Sequence, residues 1–187
     1  MSRVFVGIGS NEGDRLEHIS RAIQRLSHTP GMQVSRMATI YDTEPLGPPQ
    51  PEYLNTVIEL DTTLSPQQLL EALKRLERQL GRVPSAQRWG PRVIDLDILL
   101  YDDRVLRPSR APRQRRGRRR KCRGTQSIDN EPVLIIPHPR MHERRFVLEP
   151  LAQLAPKLVH PVLKQTVAEL LAALPAPIHH SPFIIHH

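Results

Sequence analysis

The sequence contains little cysteine and no long apolar run. Its single cysteine, Cys122, cannot form an internal disulfide, which favours a reducing compartment. No apolar stretch approaches the roughly 20 residues that a membrane-spanning helix needs. The first residues also lack the basic and then apolar pattern of a signal peptide. We therefore expect a cytoplasmic protein that does not enter a membrane.

Acidic residues are missing from one stretch of an otherwise mixed chain. The net charge is +8, from 27 Lys and Arg against 19 Asp and Glu. Segment 104–127 holds eleven of the basic residues and no acidic one, which leaves 16 basic against 19 acidic residues elsewhere, a net charge of −3. An ordered nucleic-acid surface would spread its basic residues and interleave aromatics. The basic character belongs to one aromatic-free segment, and the rest of the chain is mildly acidic.

Within this segment, residues 108–126 hold no apolar side chain larger than Ala111 and Cys122 and cannot contribute to a core. We predict one domain over residues 1–174, interrupted by a disordered basic insert at about 104–127, and a loose C-terminal tail at 175–187. The insert is expected to be a solvated loop. A tether for nucleic acid or an acidic partner is the alternative.

No Walker A pattern occurs in the chain, which excludes a P-loop as the phosphate site. The stretch Gly7 to Gly13 lies between an apolar segment and a helical pattern, as in a dinucleotide-binding fingerprint. Its third glycine comes one residue late, and no acidic residue follows at the required distance. We interpret these residues as turn glycines.

Apolar periodicity predicts a mixture of strands and helices without a strict β-α-β alternation. Strands are expected at 3–8, 32–41, 54–61 and along the run that ends at Tyr101, with order resuming at 132–136. Helices are expected after the capping residue Asp14, from Pro66 to Gly81 with Ser65 as the cap, through 146–154, and near 166–174. This order is typical of the α+β class with a largely antiparallel sheet.

Two carboxylates one residue apart, Asp95 and Asp97, lie in an apolar run. On a strand they would point to the same face. Two adjacent anions repel unless a cation lies between them, and hard oxygen ligands favour magnesium with substrate phosphates. Arg88 and Arg92 would hold those phosphates, and Trp89 offers a flat surface for a ring. The pattern predicts metal-assisted chemistry on a nucleotide, whereas an isolated D-x-D pair would favour a solvated strand face.

Two further motifs have competing interpretations. His138 and His142 have the spacing of a zinc pair on a helix, but Pro139 lies between them and no third ligand is evident. His138 alone, close to several arginines, is a candidate phosphate contact. Asn55 begins a strand after a proline-rich loop, and its amide suits either a heterocyclic ligand or a structural role.

Seven blocks, in a fixed order, carry a resemblance to a known family. They are Gly9-Ser10-Asn11, Thr43-x-Pro45-Leu46-Gly47-Pro48, Tyr53-Leu54-Asn55, Gly81-Arg82, Arg88-Trp89-Gly90-Pro91-Arg92-x-x-Asp95-Leu96-Asp97, Pro137-His138 and Arg144-x-Phe146. Together they resemble the 6-hydroxymethyl-7,8-dihydropterin pyrophosphokinase family of the folate pathway. The resemblance covers residues 1 to about 103 and 128 to about 174.

The resemblance implies a ferredoxin-like α+β fold in a single domain. It also implies transfer of diphosphate from the co-substrate ATP to the hydroxymethyl group of 6-hydroxymethyl-7,8-dihydropterin, with release of AMP. Two magnesium ions are expected, and we expect a monomer. The alternatives are a basic nucleic-acid-binding module and a different magnesium-dependent nucleotidyltransferase.

The resemblance also implies roles for individual residues. Asp95 and Asp97 are expected to bind metal, and together with Arg82 and Arg92 to form the catalytic set. The expected ATP contacts are Glu77, Arg88, Trp89, Ile98, His138 and Arg144. The expected pterin pocket consists of Thr43, Pro45, Leu46, Tyr53, Asn55 and Phe146. Pro84 departs from the pattern, because many relatives place a basic ATP contact there.

Overall fold

The protein is represented by a computed structural model, which describes residues 1–45, 49–83, 90–107, 133–175 and 180–182. The predicted disorder of the basic insert therefore lies outside the described residues from position 108 onward. None of the described helices is long and apolar enough to cross a membrane.

The described strands form one sheet in which every pairing is antiparallel. They are β1 (Ser2–Ser10), β2 (Met32–Met37), β3 (Tyr41–Thr43), β4 (Tyr53–Thr62), β5 (Asp95–Tyr101) and β6 (His180–Pro182). The sheet runs in the order β5-β1-β4-β3-β6, and β2 also pairs with β4. The prediction of an α+β fold with a largely antiparallel sheet is confirmed.

The helices begin at the predicted capping residues where the sequence offered one. They are α1 (Arg15–Ser27), α2 (Pro66–Gln79), α3 (Arg145–Leu154) and α4 (Val167–Ala172), with a short 3-10 helix at Met141–Glu143. The Asp14 carboxylate accepts the N–H of Glu17 at the start of α1. Ser65 and Gln68 form a capping box on α2, with proline at its first position. These local bonds fix where each helix enters the sheet.

Two apolar layers lie on opposite faces of the sheet. Helices α1 and α2 cover one face, against side chains that include Ile94, Leu96 and Ile98. Helices α3 and α4 pack on part of the other face, against Phe5 and Leu99 among others. The alternation predicted for the D-x-D strand is confirmed, since Ile94, Leu96 and Ile98 are all buried on the side away from the aspartates. The uncovered part of the second face is where the carboxylates emerge.

The structure differs from the predicted elements in one strand and in the C-terminal tail. The strand expected at 32–41 divides into β2 and β3, because the Thr39 N–H leaves the sheet to bond Gln153 of α3. After the insert the described residues resume at position 133, and Ile136 forms a single antiparallel bridge with Leu106. The tail is not wholly loose, since β6 pairs with β3 at the sheet edge.

The glycine interpretation also needs correction. Gly7 and Gly9 lie inside β1, which continues to Ser10. Gly13, with a φ of 65°, is the residue of this stretch that adopts the left-handed turn conformation. Strand glycines mark places where another group approaches the backbone closely, and these two lie at the centre of the site.

Candidate active site

Two glycines of the central strand form an open floor between β5 and β4. The pairing register places Asp95 and Asn55 on either side of Gly9, and Asp97 and Val57 on either side of Gly7. Because the glycines carry no side chains, a cavity of about 380 Å³ lies above them. Its lining residues are Gly7, Ile8, Gly9, Thr43, Glu44, Gln50, Tyr53, Asn55, Thr56, Arg92, Asp95, Asp97, Leu99, His138, Pro139, Arg140, Arg144, Phe146 and Val147.

Gly9 is a cavity-lining residue whose role the turn interpretation missed. A Cβ at this position would lie 2.7 Å from Asn55 Oδ1, whereas a Cβ at Gly7 would meet Leu99 at 3.4 Å. The Asn55 amide oxygen therefore occupies space that a side chain at position 9 would need. The sequence signal was two glycines at alternate positions of an apolar strand, which puts both on one face.

Asp95 is held by two arginines. Arg82 Nη1 donates to one carboxylate oxygen at 2.6 Å, and Arg92 Nη1 donates to the other at 2.7 Å. Burial alone would raise the pKa of Asp95, but the charges of Arg92, Arg82 and Lys74 outweigh it and hold the pKa below its ordinary value. Asp95 is therefore an anion whose charge the protein itself balances.

Asp97 is held much less firmly. Its nearest cation is Lys74, with Nζ 3.7 Å from Oδ1, and its side chain is 37% exposed. Burial of the charge within the site and the neighbouring Asp95 raise its pKa, and Lys74, His138 and Arg144 offset this only in part. A cation brought by a ligand would stabilise the ionised form of Asp97.

A second wall of the cavity comes from the chain around the 3-10 helix. The His138 N–H donates to the Leu99 carbonyl at 2.9 Å, which ties this segment to β5. The Arg140 N–H donates to His138 Nδ1 at 3.3 Å, so a neutral imidazole carries its proton on Nε2. Burial lowers the pKa of His138, which keeps the ring neutral near pH 7. The zinc interpretation has no support among the described residues, where no group of three or more His, Cys, Asp or Glu could hold a metal.

Arg144 brings a cation to the same wall. Its buried Nε has no hydrogen-bond partner among the described residues. Its guanidinium lies 5.6 Å from the centre of the Phe146 ring. A buried donor without a partner is costly, and an anionic ligand in the cavity would satisfy it.

The opposite side of the cavity combines an amide with aromatic rings. Asn55 Nδ2 donates to Thr43 Oγ1 at 2.7 Å, and both residues are buried. This bond orients the amide and places Oδ1 above Gly9. Tyr53 and Phe146 line the same space. A flat heterocycle with hydrogen-bonding edges would match these groups.

The block Gly9-Ser10-Asn11 anchors the arginine-bearing segment. Ser10 Oγ donates to the Val93 carbonyl at 2.7 Å, and the Arg92 N–H donates to Asn11 Oδ1 at 2.7 Å. Asn11 Nδ2 also donates to Gln50 Oε1 and to the Pro51 carbonyl. Asn11 therefore holds both the segment that contains Arg92 and the segment that contains Gln50 and Pro51.

The structure places nine of the predicted site residues on the cavity: Thr43, Tyr53, Asn55, Arg92, Asp95, Asp97, His138, Arg144 and Phe146. Arg82 reaches it through Asp95. Leu46, Arg88 and Trp89 lie outside the described residues. Pro45 is not among the lining residues.

Two predicted ATP contacts are placed differently from the expectation. Glu77 is 2% exposed and lies behind β5 instead of on the cavity. Ile98 is 4% exposed and packs in the core under α1 and α2, because the alternation that turns the aspartates outward turns Ile98 inward.

Sequence comparison agrees with this geometry. The family model of 7,8-dihydro-6-hydroxymethylpterin-pyrophosphokinase (HPPK) matches residues 5–156. The chain belongs to this family. A 2-amino-4-hydroxy-6-hydroxymethyldihydropteridine pyrophosphokinase of Synechocystis sp. is 37% identical over 166 residues, which cover 89% of this chain and 73% of that protein. One of the same description from Methylorubrum extorquens is 38% identical over 175 residues, which cover 93% and 94%. The predicted family and the predicted enzyme class, a pyrophosphokinase, are confirmed.

Solved structures agree on the fold. The HPPK-DHPS of Plasmodium falciparum, crystallised with pteroate, superposes with a TM-score of 0.67 at 15% identity, over 91% of this chain and 42% of that one. The present chain thus spans less than half of the length of that protein. The likeness confirms the predicted ferredoxin-like α+β arrangement.

Proposed function

We propose that this HPPK-family chain transfers diphosphate from ATP to the hydroxymethyl group of 6-hydroxymethyl-7,8-dihydropterin, giving AMP and the pterin diphosphate for folate synthesis. The observation that carries the proposal is the cavity itself. It places the Asp95 and Asp97 carboxylates on one side of a glycine floor and the Asn55 amide on the other. A phosphate-handling site and a heterocycle pocket therefore meet over Gly9.

Charge supports the phosphate side. Arg92, His138 and Arg144 face the same cavity as the two aspartates, and we propose them as contacts of the ATP phosphates. The donor on Arg144 Nε that lacks a described partner is consistent with an anionic ligand. We propose the same role for Arg88, with Trp89 as a stacking surface, although both lie outside the described residues.

The pterin side is supported by Asn55 and its neighbours. The Thr43 hydroxyl fixes the orientation of the Asn55 amide, so the amide oxygen is available to accept N–H groups from the ring edge. We propose that Tyr53 and Phe146 enclose the ring, and that Pro45 and Leu46 complete the pocket. The proposed pterin alcohol then lies across the glycine floor from Asp95.

Diphosphate transfer demands alignment and neutralisation more than covalent help from the protein. The hydroxymethyl oxygen of the pterin attacks the β-phosphorus and loses its proton to solvent, while the bond between the β-phosphorus and the bridging oxygen to the α-phosphate breaks. Negative charge then grows on the departing AMP. Arg82 and Arg92, already at Asp95, would stabilise the charge on the transferring group.

The donor set fits magnesium. Two carboxylates share one face, and the described ion-pair partner of Asp97, Lys74 at 3.7 Å, lies closer to Glu77 at 2.8 Å. We propose that Asp95 and Asp97 hold two magnesium ions together with the triphosphate. When bound, magnesium would screen the phosphate oxygens from the incoming alcohol.

A product analysis tests the proposal directly. The full chain, magnesium, ATP and 6-hydroxymethyl-7,8-dihydropterin are expected to form AMP in equal amount to pterin diphosphate. Release of pyrophosphate with transfer of AMP would indicate a nucleotidyltransferase instead. A variant that lacks residues 108–126 tests the basic insert in the same assay. If this variant and the full chain turn over at the same rate, the insert has no part in catalysis.

Three further predictions accompany the proposal: a monomer, a cytoplasmic location and a domain that spans residues 1–174. Light scattering during gel filtration would test the oligomeric state.

A further inference from the structure

Glu77 is a buried anion that the proposed reaction does not use directly. Its side chain is 3% exposed, and burial raises its pKa. A buried carboxylate is costly unless donors surround it. Its partners therefore indicate what it does.

Two hydrogen-bond donors, Lys74 and the Leu96 N–H, and one further ion-pair partner, Arg82, converge on Glu77 Oε1. Lys74 Nζ lies at 2.8 Å, the Leu96 N–H at 2.7 Å and Arg82 Nη1 at 2.5 Å. The same Arg82 nitrogen donates to Asp95 Oδ1 at 2.6 Å. One guanidinium nitrogen thus bridges the buried glutamate and the proposed metal ligand.

The glutamate also secures the free edge of β5. Among the described strands β5 pairs with β1 alone, so outward-facing backbone groups of β5 need other partners. The Leu96 N–H donates to Glu77, and the Leu96 carbonyl accepts from Lys74 Nζ at 3.1 Å. Leu96 lies between Asp95 and Asp97, so α2 holds the backbone that carries both aspartates.

The end of α2 adds a second connection to Arg82. Gly81 has a φ of 97°, and its N–H donates to the Arg78 carbonyl while the Arg82 N–H donates to the Glu77 carbonyl. This pair of bonds is the Schellman arrangement, which needs a left-handed residue at the glycine position. The backbone of Arg82 is therefore tied to the residue that its side chain contacts.

We propose that Glu77 is a positioning residue for diphosphate transfer, whose carboxylate, anchored by Lys74 and the Leu96 N–H, holds the Arg82 guanidinium against Asp95. This inference rests on the proposed function. Glu77 acts through Arg82 and touches neither substrate. Without its charge, Arg82 would keep Asp95 as a partner but lose the second contact that fixes its nitrogen.

A kinetic cycle separates positioning from a general structural role. Glu77→Gln keeps an acceptor for the Leu96 N–H and removes the charge. We expect kcat to fall about 10-fold, with the KM for ATP changed less than about threefold, because ground-state contacts remain. In an Arg82→Ala background the same substitution should lower kcat by less than about twofold. If Glu77→Gln lowers kcat by the same factor in the Arg82→Ala background as in the wild type, the inference is overturned.

Glu59→Gln is the matched control. Glu59 is also a buried glutamate of this fold held by two basic side chains, Arg3 and Arg36, but it lies away from the cavity lining. Its substitution should leave kcat unchanged at temperatures where the variant is folded. A loss of kcat equal to that of Glu77→Gln would assign both effects to stability and overturn the inference.

Gly81→Ala supplies a second variant if Glu77→Gln fails to fold. A Cβ at Gly81 would meet nothing within 4 Å, so the change strains the backbone at a φ of 97° without a clash. We expect Gly81→Ala to lower kcat in the wild-type background. In the Arg82→Ala background the same substitution should have little further effect on kcat. An unchanged kcat for Gly81→Ala would overturn the inference.

The wild-type arm keeps the two claims apart. If the wild type forms no AMP with the pterin alcohol, the proposed function fails, and the inference that rests on it is overturned as well. If the wild type forms AMP but Glu77 and Arg82 behave independently, the inference alone fails. In that case the proposed function stands.

Discussion

Two regions of the sheet face that carries the site combine carboxylates with basic residues and differ in how far the charges are balanced. The closed region is the cluster of Glu59, Arg3 and Arg36, and the open region is the cavity beside Asp95 and Asp97. In the closed region, Glu59 is paired with Arg3 and Arg36, and these arginines outweigh its burial and hold its pKa below the ordinary value. In the open region, Asp97 meets its nearest cation at 3.7 Å, and its pKa is raised. Both regions combine carboxylates with arginines, but Arg3 and Arg36 lie on strands that pair with the strand of Glu59, whereas Arg82 and Arg92 lie outside the strands. What distinguishes the site is a carboxylate, Asp97, whose charge the described residues offset only in part.

This difference in charge balance predicts how the two regions respond to substitution. A buried ion pair contributes to stability only while both partners remain, because removal of one partner leaves the other charge without its counter-charge. An unbalanced carboxylate costs stability and is retained for what it binds. Substitutions in the open region should therefore change activity, and those in the closed region should change stability.

The largest effect is expected for Asp97→Ala. Loss of the proposed metal ligand should lower diphosphate transfer at least about 1,000-fold, the upper range for one electrostatic contact in a transition state. Thermal unfolding should show no loss of stability, because the removed charge was poorly compensated. AMP release and melting temperature measure the two outcomes. Near-normal turnover would remove the metal assignment from Asp97.

Arg92→Ala should have the next largest effect. Arg92 is one of the two guanidinium partners of Asp95, and we expect kcat to fall about 100-fold while the affinity for a non-hydrolysable ATP analogue changes much less. Single-turnover kinetics and calorimetry give the two quantities. A stronger effect on binding than on turnover would make Arg92 a binding residue in place of a catalytic one.

Gly9→Ala should have a moderate effect confined to the pterin. The new Cβ would lie 2.7 Å from Asn55 Oδ1 and would push the amide away from its orientation. We expect the KM for the pterin to rise about 10-fold, equal to about 1.4 kcal/mol, with the KM for ATP nearly unchanged. Gly7→Ala, where the new contact is at 3.4 Å, should change the pterin KM less. The reverse order would contradict the proposed role of Asn55.

Glu59→Gln should have the smallest effect on turnover and a clear effect on stability. Because both arginines are partly exposed, we expect a loss of about 1–2 kcal/mol near neutral pH. The folded pKa of Glu59 is depressed from 4.5, so its contribution is present above pH 4.5 and is lost as the pH falls through the folded value. Urea unfolding as a function of pH measures this. If the wild type and the variant lose stability in parallel below pH 4.5, the pairing of Glu59 contributes nothing.

Much of the fold followed from local patterns. Asp14 and Ser65 predicted the helix starts because capping bonds are local, and the alternation around Asp95 predicted which face each side chain takes. The β2–β3 division was not predictable, since the Thr39 N–H finds its partner in α3, more than a hundred residues away in sequence. Pairing of β6 at the far edge depends in the same way on a distant strand.

The site residues also divide into those that local sequence identified and those whose place depends on tertiary contacts. The blocks around Arg92, Asp95, Asn55 and His138 identified the chemistry, because the residue types and their order carry it. Gly7 and Gly9 were misassigned, since a turn glycine and a floor glycine look alike until the neighbouring strands are in place. Glu77 was expected at the ligand and lies behind the strand.

The sequence by itself determined the family, the set of charged and amide groups, and the alternation that turns Asp95 and Asp97 to one face. Only the tertiary structure decided that Gly9 lies between Asp95 and Asn55, that two arginines hold Asp95 while Asp97 stays open, and that Glu77 supports Arg82 from behind. The physical reason is range. Residue type and alternation act over a few residues, whereas charge balance depends on every strand and helix that meets at the same point.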